Sequence, residues 1–379
     1  MISPARIVAL GCVGLVACGH GGGGEAERAR VAVGYRIVDT DPDEETTRGL
    51  ILRNDGGTWV SVGEDVIGED KLVDVLFSSA DVAWAHGSDS LLRSANGGRT
   101  WEDARPRLPE DLREGPFVFH ALAFADEATG YLVVQAATNG GLPTMGPFVW
   151  ITRNGGETWE RGEDLAPVLN ETGLAVAVRA GGAELLRHAP TGETGAVVQG
   201  FDGNDHPIER LTEVPTGIRD GFDTVGERGW IALTITPGDD FAESRPIILT
   251  SERPGAAWTA HTLPEGVGVD FGSLDMCDAR VGVAGGSELF PRIRPIVFWT
   301  ADGGDWRTSA VPAFDGEFSV TDVTCATEEE VWVLTKGGRL EPETAVLRSE
   351  DGGRSFTRVD LGLAPGALLL GMATDAAFR

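Results

Sequence analysis

Four aspartates, Asp74, Asp223, Asp275 and Asp322, each stand in a short apolar segment, and His120 holds the matching place in a fifth. Carboxylates gathered on one surface can hold a hard cation such as calcium or magnesium through oxygen ligands. They can also trade protons around a bond being cut, or simply face water and take no ligand. A further acidic run, Asp39-Thr-Asp-Pro-Asp43, alternates carboxylates as a calcium loop does. Glu44 and Leu50 stand where such a loop needs Gly and Glu, so it reads as a solvated loop.

Other chemistry-bearing types are sparse. The six His are scattered without a zinc-like pair, and Tyr35 and Tyr131 are the only tyrosines. Gly285-Gly-Ser-Glu-Leu289 lacks the last glycine of a serine-hydrolase elbow. Gly19-His-Gly-Gly-Gly-Gly24 has dinucleotide-site spacing but follows no strand, and reads as a tether. Cys277 and Cys325 stand near the ends of corresponding strands. Two outcomes are open for them, a disulfide or two buried thiols, and a bond needs their Cα atoms within about 7 Å.

The elements that must position these residues repeat. Ser94-Ala-Asn-Gly-Gly-Arg-Thr-Trp101 recurs as Thr152-Arg-Asn-Gly-Gly-Glu-Thr-Trp159 and Ser349-Glu-Asp-Gly-Gly-Arg-Ser-Phe356. Ser251 to Trp258 is a looser copy; Arg53 to Trp59, with Asp55, and Thr300 to Trp306, with Asp302, are one residue short. Each follows a short apolar run and reads as strand, turn, strand. Asn96, Asn154, Asp302 and Asp351 can bond nearby amides, the glycines supply positive φ, and Trp101, Trp159 or Phe356 covers the turn. A fixed-period motif of this kind means a repeat architecture.

The motif resembles the Asp-box (bacterial neuraminidase, BNR) repeat of sialidase-like β-propellers, which implies a structural turn remote from any ligand face. The closing aromatics fall at 59, 101, 159, 258, 306 and 356, and the one double gap leaves room for a degenerate unit over Thr172 to Glu213. The expected fold is therefore an all-β, seven-bladed β-propeller, residues 31–379, with the last strand, Ala367 to Met372, pairing with the first unit and so closing the ring. Asp74, His120, Asp223, Asp275 and Asp322 would then form a ring on the innermost strands, open to a cation or ligand.

Catalytic sialidase roles carry over to no residue. No Arg-Ile-Pro precedes the first box, and both tyrosines lie in strand-like runs. A glycoside hydrolase using two carboxylates stays open, because 59 acidic residues allow many pairs. The repeats also resemble the photosystem II stability/assembly factor family, whose members are non-enzymatic propellers. That favours a binding or assembly scaffold with an unknown protein or glycan partner and no cofactor beyond an optional Ca2+. Loops at Asn139 to Pro147, Gly238 to Pro246 and Ser287 to Pro295 would carry recognition.

Residues 1–17 read as a signal peptide, with one positive charge before a short apolar core. Leu15-Val-Ala-Cys18 resembles a bacterial lipobox, which implies lipid on Cys18, a tether over residues 18–30 and export to the outer membrane. A net charge of −28 without a basic stripe excludes a nucleic-acid partner. No apolar run reaches membrane-helix length, so membrane contact is by the lipid alone.

Overall fold

The computed structural model describes residues 29–39, 46–54, 58–106, 117–137, 143–164, 174–179, 182–188, 196–200, 205–207, 215–217, 221–235, 245–261, 263–264, 269–289, 291–337, 343–363 and 367–374. Cys18, Asp55, the leader and the tether up to residue 28 lie outside them, as does the acidic run after Asp39. The tether's expected end at residue 30 needs correction, because Ala29 is buried and Arg30 opens the first strand.

The described strands form seven antiparallel sheets. The first runs from Ala367–Thr374 through Arg30–Asp39 and Thr46–Asn54 to Val60–Ser61. The second runs from Leu72–Phe77 through Ala83–Gly87 and Leu91–Ser94 to Glu102–Asp103, and the third from Phe117–Phe124 through Gly130–Ala137 and Pro143–Thr152 to Glu160–Asp164. The fourth comprises Leu174–Arg179, Gly182–His188, Ala196–Gly200 and Asp205–Pro207. In the fifth, Arg228–Ile235, Arg245–Ser251 and Thr259–His261 follow an inner edge split between Pro215–Gly217 and Phe222–Val225. The sixth is Val269–Met276, Gly282–Glu288, Arg294–Thr300 and Trp306–Thr308; the seventh is Phe318–Cys325, Val331–Gly337, Glu343–Ser349 and Thr357–Val359. Inner strands of successive sheets touch around a ring, so the shape is that of a β-propeller.

In the second and fifth sheets the second strand is the most deeply buried, because both its faces are covered. Ala83–Gly87 is buried at every residue, and Arg228–Ile235 at all but the first. Trp84 and Trp230 are fully buried there.

The expected seven-bladed ring closed by terminal strand pairing needs correction. The described residues make six packed units, because six apolar clusters each bridge two neighbouring sheets. Among the described residues none joins the third sheet to the fourth. The pairing of Arg30–Arg36 with Ala367–Thr374 lies inside the first sheet and does not link one sheet to the next. Cohesion between sheets comes from packing: Leu369 and Met372 lie against Trp332 and Leu334 on one side, and Val31 and Val33 against Leu72 and Val75 on the other.

The repeated turn joins the third strand of a sheet to its outermost strand. Ser94 Oγ accepts from the Gly98 amide at 2.9 Å and donates to Asn96 Oδ1 at 3.0 Å. Asn96 Oδ1 also accepts the amides of Arg99 and Thr100, at 3.0 and 2.9 Å. Thr152 with Asn154, Thr300 with Asp302, and Ser349 with Asp351 repeat the pattern. The turn also touches the preceding sheet. Gly156, at φ 82°, sits so close to the Trp84 ring that a Cβ would come within 2.0 Å of it. Trp230 donates its indole N–H to the Gly303 carbonyl at 2.9 Å.

Candidate functional site

The inner strands carry the carboxylates singled out by the sequence. In the second, third, sixth and seventh sheets a bulge inserts one extra residue on the inner strand: Val73, His120, Gly272 and Thr321 respectively. A bulge bends the strand and re-aims the next side chain. Asp74 and Asp322 immediately follow their bulges and share a place, which Ser273 takes in the sixth sheet. The expectation of five matching positions therefore needs correction. His120 is itself the inserted residue, and Asp275 lies two places beyond Ser273.

Three of the acids reach across to the next sheet. Asp223 Oδ2 accepts from the Met276 amide at 2.7 Å, Asp275 Oδ2 from the Cys325 amide at 2.6 Å, and Asp322 Oδ2 from the Met372 amide at 2.7 Å. The other Asp322 oxygen accepts the Ser273 hydroxyl at 2.9 Å. These are charge-assisted bonds, the stronger kind. Asp74 differs: Oδ1 accepts from the next amide, Val75, at 2.7 Å, and Oδ2 lies 3.7 Å from Nε2 of the buried His86. Among the described residues no three His, Cys, Asp or Glu side chains converge on a point that would suit a metal.

Cys277 and Cys325 are joined by a disulfide, with Cα atoms 5.1 Å apart. It links the sixth and seventh sheets beside the Asp275 bond, within the apolar cluster of Val283, Val320 and Val333.

Sequence reasoning missed a second acidic pair, at the entrance to the second sheet. Asp70 Oδ2 accepts the amides of Asp89 and Ser90, at 3.2 and 3.0 Å. Burial raises the Asp89 carboxyl, the hydrogen bond to Asp70 and its charge add to this, and Arg105 opposes it. Gly87 could have flagged the contact only in three dimensions: a Cβ there would meet Asp70 Oδ2 at 2.1 Å.

Of the expected recognition loops, the base of the third is described. Arg294 pairs with Glu288 at 2.7 Å, so the hairpin extends further than its sequence suggests. Strand Pro143–Thr152 absorbs the end of the first, while 138–142 and 236–244 lie outside the described residues. Tyr35 is half-buried beneath Lys71, whose Nζ lies 4.6 Å from the ring centroid, and Tyr131 sits within Gly130–Ala137.

No family model and no curated protein matches the chain. Among solved structures, YCF48 from Cyanidioschyzon merolae superposes with a TM-score of 0.51 at 20% identity, over 79% of this chain and 88% of that one. A structure of YCF48 bound to D1 peptide gives 0.49 at 18% identity, over 78% and 84%. The extracellular domain of the one-component system BT4673 from B. thetaiotaomicron gives 0.50 at 10% identity, over 80% of this chain but only 36% of that chain. Likeness at such identities speaks to fold alone, and the fold it supports is an all-β propeller.

Proposed function

We propose that the chain is a non-catalytic binding or assembly scaffold on the cell envelope. The observation that carries this reading is the engagement of Asp223, Asp275 and Asp322 with backbone amides of the next sheet. Carboxylates spent on holding the frame favour a rigid platform over a proton-transfer site. A rigid ring presenting hairpins is a common arrangement for recognition. The repeated turns, read as Asp-boxes, then serve the frame alone.

The same reading puts the chain outside the cytoplasm, held by lipid on Cys18 at the outer membrane. The Cys277–Cys325 disulfide supports export, since such bonds persist in oxidising compartments. Labelling with a radioactive fatty acid tests the anchor: Cys18→Ala should lose the label and leave the membrane fraction, and a labelled Cys18→Ala protein would refute it. Photo-cross-linkers placed at Arg294 and Asp89 in the native envelope test the scaffold. Discrete, repeatable adducts are expected; labelling spread evenly over abundant proteins would count against it.

A glycoside hydrolase using two carboxylates is the alternative reading, and the Asp70–Asp89 pair is its nearest candidate. Two-carboxylate hydrolysis needs the groups about 5 to 9.5 Å apart, with the scissile bond or a water between them. The Asp89 amide itself donates to Asp70 Oδ2 at 3.2 Å, so the two residues are in direct contact. Asp70 is also occupied by two amides.

A further inference from the structure

The first sheet carries an arrangement that the frame does not explain. Arg36 and Arg48 are direct cross-strand partners, and both are exposed. Like charges directly opposite on a sheet repel. In a chain with 59 acidic residues and a net charge of −28, a partner for them would be easy to supply. Yet among the described residues neither is paired with a carboxylate; Arg48 donates only to the Glu64 carbonyl, at 2.9 Å.

Both arginines line a recess of about 210 Å³ between the first sheet and the segment 361–363 that leads into its innermost strand. Most of its wall is apolar, from Leu50, Leu52, Trp59, Leu361, Leu363 and Ala367; one carboxylate, Glu64, also lines it and accepts the Ser61 hydroxyl at 3.0 Å, so the two arginines leave a net positive charge. These apolar side chains belong to, or pack against, the core shared by the first and seventh sheets, so the recess is an opening in a packed layer. Trp59 is held edge-on against Trp332, with ring centroids 6.5 Å apart.

We propose that this recess binds a carboxylate carried on a short apolar stem. Such a site deepens the scaffold reading and rests on it: it is one place at which the platform takes a ligand. Two planar guanidinium forks can accept a carboxylate bidentately. The bound anion would relieve the repulsion between Arg36 and Arg48, while the stem displaces water from Leu50, Leu361 and Trp59. Two sources share this chemistry, a free alkanoate and a peptide C-terminus after an apolar residue.

The test is titration calorimetry on the full chain with octanoate, octylamine, a hexapeptide ending in free Leu, and the same peptide amidated. Octanoate or the free peptide should bind, and each should outbind its uncharged-end or cationic counterpart at least tenfold. Octanoate alone identifies a small acid as the source; the free peptide alone identifies a chain end. Arg36→Gln with Arg48→Gln should weaken binding tenfold or more without lowering the melting temperature. A second variant replaces Asp41, Asp43, Glu44 and Glu45 with their amides, in the same hairpin as the two arginines. If ligand binds only that variant, the recess is filled by its own chain and the proposal is overturned. Equal binding of octanoate and octylamine, binding unchanged in the double arginine variant, or no binding at all would also overturn it. These failures leave the cross-linking test of the scaffold reading untouched, so the two claims can fall separately.

Discussion

The carboxylate of Asp275 accepts the amide of Cys325 at 2.6 Å, and the same Cys325 is bonded through sulfur to Cys277, two residues beyond Asp275. Two unlike links thus tie the sixth sheet to the seventh at one point. Closing a 48-residue separation removes chain entropy worth about 4 kcal/mol by the loop model. Replacing both cysteines with serine should lower stability by about 2–4 kcal/mol in urea unfolding. The parent protein should show the same loss on reduction, and the variant none. Equal stability of variant and parent would remove the disulfide from the account.

The acids of the inner strands act as staples. Asp322→Ala would strand the Met372 amide and the Ser273 hydroxyl in a buried place, at a cost of about 2–4 kcal/mol. Asp322→Asn keeps one acceptor and should cost less. Calcium or a chelator should leave the melting temperature of the parent unchanged. Stabilisation by calcium that disappears in Asp74→Asn and Asp322→Asn would restore the cation ring.

The turn glycines are places where backbone and packing demand coincide. Gly156 has positive φ and lies against Trp84 of the preceding sheet. Gly156→Ala adds left-handed strain and a clash with a fully buried ring, together about 2–4 kcal/mol. Gly226, also at positive φ, has open space around it, so Gly226→Ala should cost about 1–2 kcal/mol, the strain alone. Thermal unfolding of the two variants side by side separates strain from packing.

Acid should act on the turns and the second-sheet pair in opposite directions. Asp302 is held low mainly by the amides of Asp305 and Gly304. Burial alone would raise Asp351, but the Ser355 hydroxyl and amide outweigh it and the carboxyl is lowered. Carboxyls lowered on folding contribute stability that is present above their unfolded value of 3.8 and lost as pH falls through the folded value. Asp89 is raised, so it costs stability as pH climbs above 3.8, and the cost is complete above its folded value. Asp89→Asn should therefore raise the neutral-pH melting temperature. Asp351→Asn should lower it and flatten the acid limb of the stability curve.

Much of the frame was legible in the chain. The Ser/Thr–Asn/Asp–Gly–Gly turns encode their own hydrogen bonds within eight residues, so local chemistry specifies them without reference to the rest of the fold. Cys277 and Cys325 could be paired because a repeat places like strands side by side. The inner-strand positions were misread because a bulge shifts the register by one residue, and Val73, His120 and Thr321 carry no sequence mark of it. The split inner edge at Pro215–Gly217 and Phe222–Val225, the Asp70–Asp89 contact and the Arg36–Arg48 pairing all depend on which strands meet and in what register. That information is long-range, and a single sequence does not display it.

The central claim is that the carboxylates of this ring hold structure and do not cut bonds. Its most direct test is a release assay in which the protein is incubated with sialosides and a range of natural polysaccharides, with products read by mass spectrometry. The account predicts no product beyond that of a heat-denatured control. A specific product that disappears in Asp74→Asn, Asp275→Asn or Asp322→Asn would contradict it and establish the ring as catalytic.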